Sequence, residues 1–412
     1  MWTRVLAVSP ACGGSVNGKI VRFEQRGAPT QVTTESSACR LLVAMSTVQF
    51  ITAIPWNVHR GSGCYVGTRT LVEALRQAGI DVALVTPKIT TPIYTATRVL
   101  FNETLRWRHF TGDVTIGVDA DGYSMAGRST ARIPHIACIK GVLGDAVPFE
   151  QGFTRASMAF QARLEAKHAR RADLVITISQ YCVERLQELY GVSSAVVVPE
   201  LIDLDGWRQL FRANPAVPDP RRFTVLSVCR FYARKRLDVL LRAAALLRDD
   251  VPHLEIRIVG AGPESQRLRR LSSELRLDRL VQWVGDVSLN QLATEYNRCD
   301  MFCLPSVQEG FGIVFLEAMA ARKPIVAARA AAVPEVVHSG ILVEPESPEA
   351  LAEGILRLYR QPELRRSLAA AGSRDVEQFG MHRVAQRFIG EVSKVAPAVK
   401  TCRIARAAHE QI

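Results

Sequence analysis

Two series of strand–helix alternation, separated by a proline-rich break, run through this chain and restrict what it can fold into. In the first, "CRLLVAMS" (39–46) reads as a strand. In "YVGTRTLVEALRQAG", Val66, Leu71, Leu75 and Ala78 recur at near-helical spacing and Gly79 stops the run. "IDVALVTP" is a further strand, closed by Pro87. "PHIACIKG", "ADLVITIS" and "SAVVVPEL" are short β-rich runs, with the helical stretch "FTRASMAFQARLEAKHARR" among them. "NPAVPDPRR" (214–222) then places three prolines in nine residues without periodicity, as a linker does. "FTVLSVCRF" opens the second series. Strand runs at "HLEIRIVG", "VQWVGDV", "DMFCLPS" and "KPIVAA" alternate with helical runs such as "RLDVLLRAAALLRD" and "GIVFLEAMAAR". Strand, helix, strand is the grammar of a parallel sheet. The expected class is α/β, with two doubly wound parallel-sheet domains in tandem.

The bulk numbers fit that frame. A chain of 412 residues is too long for one ordinary core, and 48% hydrophobic residues suit a globular protein. The formal charge of +12 favours phosphate-bearing ligands or an anionic membrane surface. An Arg-rich surface that only keeps the protein soluble fits equally. No basic stripe interleaved with aromatics appears, so nucleic acid is not an expected partner. Nine scattered cysteines form no CxxC pair, which points to reduced thiols and a cytoplasmic setting. No apolar run reaches the roughly 20 residues a membrane span needs.

Doubly wound sheets bind ligands at the carboxyl ends of their strands. In the second series the polar and glycine signals fall there: Arg230 ends "LSVCR", Gly260 and Gly262 end "IRIVG" and its turn, and Glu309 follows "FCLPS". Arg230 and Lys235 lie between a strand and a helix, where cations and a helix N-terminus suit a diphosphate. Taken alone, they read more simply as a solvated charge cluster. In "PSVQEGFGIVFLEAMAARKPIVA" (305–327), Gly310 and Gly312 let a ligand approach the backbone. Glu309 precedes the helix, and Glu317 lies roughly 8 Å further along its axis. Carboxylates accept from paired hydroxyls, so the two can grip both ends of a nucleotide-sugar. A bare pair of this spacing is also common by chance.

Taken in order, "VCRFYARKRLDVLLRAA", "IVGAGPE", "VQWVGDV", "CLPSVQEGFGIVFLEAMAARKPIVAA", "VPEVV" and "GILVEP" resemble the nucleotide-sugar half of the GT-B glycosyltransferases, specifically the retaining family 4. The resemblance spans about 223–360, with a weaker likeness over about 40–205. It implies two Rossmann-like domains facing a cleft. Residues 1–38, rich in Gly, Ser, Thr and Gln, lie outside the resemblance and read as a poorly ordered extension; the break divides what the resemblance implies are an acceptor-side domain over 39–213 and a nucleotide-sugar domain over 214–379. A helix over 380–396 would cross back onto the first domain, leaving a tail over 397–412. Arg230 and Lys235 would stabilise the leaving diphosphate. Glu309 would contact the donor sugar, and Glu317 the ribose hydroxyls. Phe311 and Gly312 would offer backbone N–H groups. Gly61 and Gly63 would face the donor phosphates from the first domain. Two positions depart from the pattern. Arg236 stands where the family has glycine, and Lys140 stands about where many members carry a histidine.

The resemblance implies transfer of a sugar from a nucleoside diphosphate sugar to an acceptor hydroxyl with retention. The donor is a substrate, and no cofactor is expected. "DADG" (119–122) and "DLDG" (203–206) read as turns rather than metal ligands, so fixed cations would supply the charge instead of a metal. Asp119, Asp121 and Lys140 belong to first-domain loops expected to face the cleft on the acceptor side. A lipid-linked or polysaccharide acceptor, and peripheral contact with the inner face of the membrane, fit the charge. A sugar-nucleotide epimerase or a non-catalytic binder on the same fold stays open. A dinucleotide-dependent oxidoreductase does not, because its glycine fingerprint is missing.

Overall fold

A computed structural model describes residues 46–54, 63–127 and 133–400 of the chain. All of them lie in one compact unit. The first half runs β1 (Thr47–Ile51), α1 (Gly63–Gln77), β2 (Asp81–Val85), α2 (Tyr94–Thr104), β3 (Val114–Val118), β4 (His135–Ile139), α3 (Leu143–Ala146), α4 (Gly152–Arg171), β5 (Leu174–Thr177), α5 (Gln180–Tyr190), β6 (Ala195–Val197) and α6 (Leu204–Ala213). The second runs β7 (Phe223–Val228), α7 (Leu237–Leu247), β8 (Leu254–Val259), α8 (Ser265–Glu274), β9 (Val281–Gly285), α9 (Leu289–Arg298), β10 (Met301–Leu304), α10 (Ile313–Ala320), β11 (Ile325–Ala328), α11 (Val333–Val336), β12 (Ile341–Val343), α12 (Pro348–Arg360), α13 (Pro362–Asp375) and α14 (Met381–Val395).

Each half builds one six-stranded sheet, and every pairing is parallel. The orders are β2-β1-β3-β4-β5-β6 and β12-β11-β10-β7-β8-β9. Parallel strands are covered on both faces, which is why β3, β4, β7 and β10 are buried throughout. The strand order reverses between β1 and β3 in one sheet and between β7 and β10 in the other. These are the switch points where ligand crevices form. The first strand is Thr47–Ile51, just after the run read as strand in the sequence. Residues 1–45, and so the proposed extension, lie outside the described residues. So does most of the tail, 401–412.

The chain changes sheets twice, and the two crossings are bonded together. Ile202 donates to the Phe379 carbonyl (3.0 Å), and Met381 donates to the Ile202 carbonyl (3.0 Å). After the second crossing, α14 lays Val384, Phe388, Ile389 and Val392 into the core of the first sheet, with Phe388 stacked on Phe50 at 6.4 Å. After the first crossing, α6 packs on the second domain. Trp207 meets Tyr296 edge-on at 5.9 Å, and Asn297 Nδ2 donates to the Phe211 carbonyl. The proline-rich break at 214–222 therefore comes after the chain has already changed domains.

Candidate active site at the facing sheet ends

Arg230 and Lys235 lie in the loop that follows β7, beside the switch point. A close backbone approach shapes this loop. A Cβ on Gly260 would lie 2.0 Å from the Cys229 carbonyl oxygen, and one on Gly262 would lie 2.6 Å from the Phe231 nitrogen. Only glycine lets the β8 loop pack so tightly under the β7 loop. In this structure the two glycines brace the segment that carries the cations. Arg230 is 43% exposed, and its Nη1 meets Asp286 Oδ1 at 3.4 Å. Such a surface pair contributes little and yields readily. Arg236 takes a left-handed backbone (φ 50°), and this accounts for glycine at the equivalent place in the family it resembles. Its guanidinium is committed to Asp238 and Glu346, so it does not reach toward a phosphate.

Glu309 follows β10 across the switch point. Its carboxylate forms an ion pair with the Lys235 ammonium. Burial works to raise its pKa, but Lys235 and Arg234 outweigh it and hold the group below the ordinary carboxylate range. Arg234 stacks over Tyr232 at 4.9 Å, and its buried Nη1 has no hydrogen-bond partner. Phe311 turns inward against Phe379 (5.4 Å), leaving its main chain at the turn before α10, and Gly312 caps that helix. The first N–H groups of a helix have no intrahelical acceptor. Glu317 is buried on α10, where Tyr296 Oη donates to its Oε2 at 2.9 Å. Burial pushes its pKa up to about 7, and the Tyr296 hydrogen bond only partly offsets this.

The first domain's candidates form a different kind of cluster. Asp121 is fully buried, and both carboxylate oxygens are taken. Arg98 Nε and Nη2 donate at 2.9 and 3.2 Å, Asn102 at 3.1 Å and the Ala53 N–H at 2.7 Å. Its place facing the cleft is therefore corrected: it anchors α2 and the β1 loop beneath the surface. Asp119 accepts from the Lys140 N–H (2.8 Å) and the Cys64 thiol (3.2 Å). Lys140 is bound to Glu200 at 2.9 Å with both side chains buried, and Glu200 keeps the ammonium charged against the opposing effect of burial. Both belong to buried contacts rather than to an open acceptor face. His135, also buried, meets His168 through Nε2 at 2.8 Å, and burial holds both imidazoles neutral. Gly63 opens α1 with open space around it, while Gly61 lies outside the described residues.

The two sets of strand ends face each other. A Cβ on Gly310 would lie 3.3 Å from Ile178 and 3.5 Å from Gly141, residues that follow β5 and β4. Ser179 Oγ donates to the Gly310 carbonyl at 2.8 Å. Glu335 on α11 accepts the first two N–H groups of α5, from Gln180 and Tyr181, each at 2.7 Å. Gln308 Nε2 reaches Asp145 at 2.8 Å. Arg234, Tyr296, Glu335 and Ser179 were not singled out in the sequence. Arg234 sits inside "RKR" and Glu335 inside "VPEVV", but nothing in their spacing announces a partner. A separate cavity of about 520 Å³, lined by Arg221, Phe223, His253 and Tyr359, lies at the amino ends of the second sheet's strands, away from these residues.

Two doubly wound domains with facing carboxyl ends are the GT-B fold. Residues 211–375, which include the second sheet, match the family described as Glycosyl transferases group 1. The chain is 30% identical over 218 residues to a GDP-mannose-dependent alpha-(1-6)-phosphatidylinositol monomannoside mannosyltransferase of Mycolicibacterium smegmatis, covering 49% of this chain and 56% of that one. It is 33% identical over 230 residues to a D-inositol 3-phosphate glycosyltransferase of Saccharomonospora viridis, covering 52% and 53%. The chain thus spans about half the length of the curated relatives it matches. Sucrose-phosphate synthase from Thermosynechococcus elongatus shares the fold, with a TM-score of 0.71 and 22% identity over 86% of this chain and 100% of that one.

Proposed function

We propose that this protein is a glycosyltransferase that moves a sugar from a nucleoside diphosphate sugar to an acceptor hydroxyl, with retention and without a metal ion. The observation that carries the reading is the meeting of Lys235 with Glu309 across the β7/β10 switch point, with Arg230 and Arg234 beside them. Departure of a diphosphate limits such a transfer, and fixed cations aimed at the developing charge are the main way to speed it. Lys235, flanked by Arg230, neutralises the leaving group. Glu309, freed from Lys235 as the diphosphate takes its place, accepts from hydroxyls of the transferred sugar. Glu317 receives the ribose hydroxyls. The GDP-mannose dependence named for the Mycolicibacterium smegmatis relative supports a nucleotide-sugar donor, and the resemblance of the motif set supports retention. The Asp pairs weighed as metal ligands are otherwise engaged. Asp119 and Asp121 are in buried contacts, while Asp203 caps α6 and Asp205 pairs with Arg208. The donor is a substrate, so no cofactor is required. The acceptor is read as lipid-linked or a polysaccharide. The six described cysteines are all free thiols, which supports a cytoplasmic setting.

A thermal-shift panel of nucleoside diphosphates and their sugars tests the donor. Specific stabilisation by one base is expected, because a ligand bound only by the folded form raises the midpoint. No stabilisation by any of them would remove the reading.

A further inference from the structure

Glu309 lies between two residues that the first domain holds. On one side, Ser179 Oγ donates to the Gly310 carbonyl at 2.8 Å. On the other, the buried Gln308 donates from Nε2 to Asp145 Oδ2 at 2.8 Å. The same carboxylate oxygen accepts from Tyr181 Oη at 2.8 Å, so Asp145 is itself held in one orientation. The second domain pins this stretch through its main chain. The Val307 N–H donates to the Arg234 carbonyl at 3.0 Å, and the Glu309 carbonyl accepts from the Ala332 N–H at 3.2 Å. A contact that merely glued the halves together could sit anywhere along their interface. These two bracket the carboxylate that meets Lys235 at the switch point.

Asp145 stands on α3, which has four residues and is too short to be rigid alone. Two buried side chains brace its start. Glu165 Oε2 accepts from the Leu143 N–H at 2.7 Å, and Tyr190 Oη accepts from the Gly144 N–H at 2.9 Å. Tyr190 Oη donates in turn to Glu165 Oε2 at 2.6 Å. Gly144 permits this approach, since a Cβ there would already lie 3.2 Å from the Tyr190 ring. Glu165 belongs to α4 and Tyr190 ends α5, so two longer helices supply the stiffness that α3 lacks. A carboxylate is costly to bury unless it is bonded, and this one is bonded to the mount of Asp145. We infer that Asp145 is a positioning residue for the transfer: through Gln308, and with Ser179 on Gly310, it sets the aim of Glu309 from the opposite domain. This rests on the proposed contact of Glu309 with the transferred sugar and deepens it by naming what holds that carboxylate in place.

Asp145→Ala in the full chain tests it. Donor turnover should fall roughly 10–100-fold while affinity for the free nucleoside diphosphate stays within about twofold, because the group facing the sugar is displaced and Arg230 and Lys235 are not. Asp145→Asn should restore turnover, since an amide oxygen still accepts from both donors. Gln308→Ala should lose as much as Asp145→Ala, and the double variant no more than either. Hydrogen exchange gives a second reading that needs no nucleotide. The amides of 307–312 should exchange about tenfold faster in Asp145→Ala than in wild type or Asp145→Asn. Unchanged turnover, unchanged exchange or failure of Asp145→Asn to restore either overturns the inference. So does an equal loss of turnover and diphosphate affinity, which makes Asp145 a general prop of the fold. If no nucleoside diphosphate binds the wild type, the donor reading falls by itself, and exchange still decides whether Asp145 holds the segment.

Discussion

Both sheets end in charged side chains at their switch points, and the two sets are built differently. In the first domain, Asp121 with Arg98 and Lys140 with Glu200 are sealed from water, and both oxygens of Asp121 are taken. In the second, Arg230 is partly in water with one weak partner, Arg234 has an unused buried N–H, and Lys235 and Glu309 hold each other at the edge of the crevice. The first set is a fastening, because any ligand would have to break dry ion pairs to use it. The second is open on one side only: the Arg230–Asp286 contact is exposed and weak, and Arg234 keeps an unused N–H, while the Lys235–Glu309 pair is nearly as buried as the first domain's pairs. A charged residue at a strand end indicates a site only when it retains some unmet bonding capacity.

This contrast can be tested by its largest expected effect first. Arg98→Met should destabilise the protein by about 3–5 kcal/mol, because Asp121 is left as an unpaired buried charge. Chemical denaturation measures it. Normal stability with lost activity would instead make the first set a site. Lys235→Ala should slow transfer by roughly 10²–10³-fold, measured as turnover of the donor identified by the thermal-shift panel, and unchanged turnover would end the argument for the second set. Glu317→Gln should flatten a pH dependence. The folded pKa, about 7, lies above the ordinary glutamate value of 4.5. The native state therefore holds its proton more tightly, and this contribution is full below the unfolded pKa and lost as pH rises through 7. Relative to wild type, the variant should gain up to roughly 3 kcal/mol by pH 8, seen as a smaller fall in thermal midpoint between pH 5 and 8. Arg230→Gln should change stability by less than about 0.5 kcal/mol while weakening nucleoside diphosphate binding about tenfold. Isothermal titration distinguishes this from a merely solvated arginine, whose loss would leave affinity unchanged.

The fold was legible because its signals are local. Apolar runs such as "FTVLSV" and "MFCL" are the buried strands β7 and β10, and the helical spacing of Leu237, Leu240, Leu241, Ala244 and Leu247 is the buried face of α7. The second-domain crevice was legible because Arg230 and Glu309 each lie in the loop that follows a strand. The first-domain site was not. "DADG" at a strand end looks the same whether its carboxylates face solvent or an arginine brought in from another helix, and Arg98 lies 23 positions away. Glu335 escaped for the same reason, since its partners on α5 are about 155 positions earlier. The place where α6 changes domains was hidden because the proline-rich segment follows it rather than preceding it. Arg236 is a partial exception. Its departure from glycine was visible, but only the backbone angle shows why glycine belongs there.

The contacts of Ser179 with Gly310 and of Glu335 with the start of α5 join the residue beside Glu309 to the first domain. If the halves swing apart, the Gly310 carbonyl loses the Ser179 hydroxyl and the first turn of α5 loses its carboxylate plug. Widening the crevice therefore shifts the residue beside Glu309 and at the same time uncovers bare amides that attract anions. The position of the residue beside Glu309 and the cover over those amides are thus set by the same contacts.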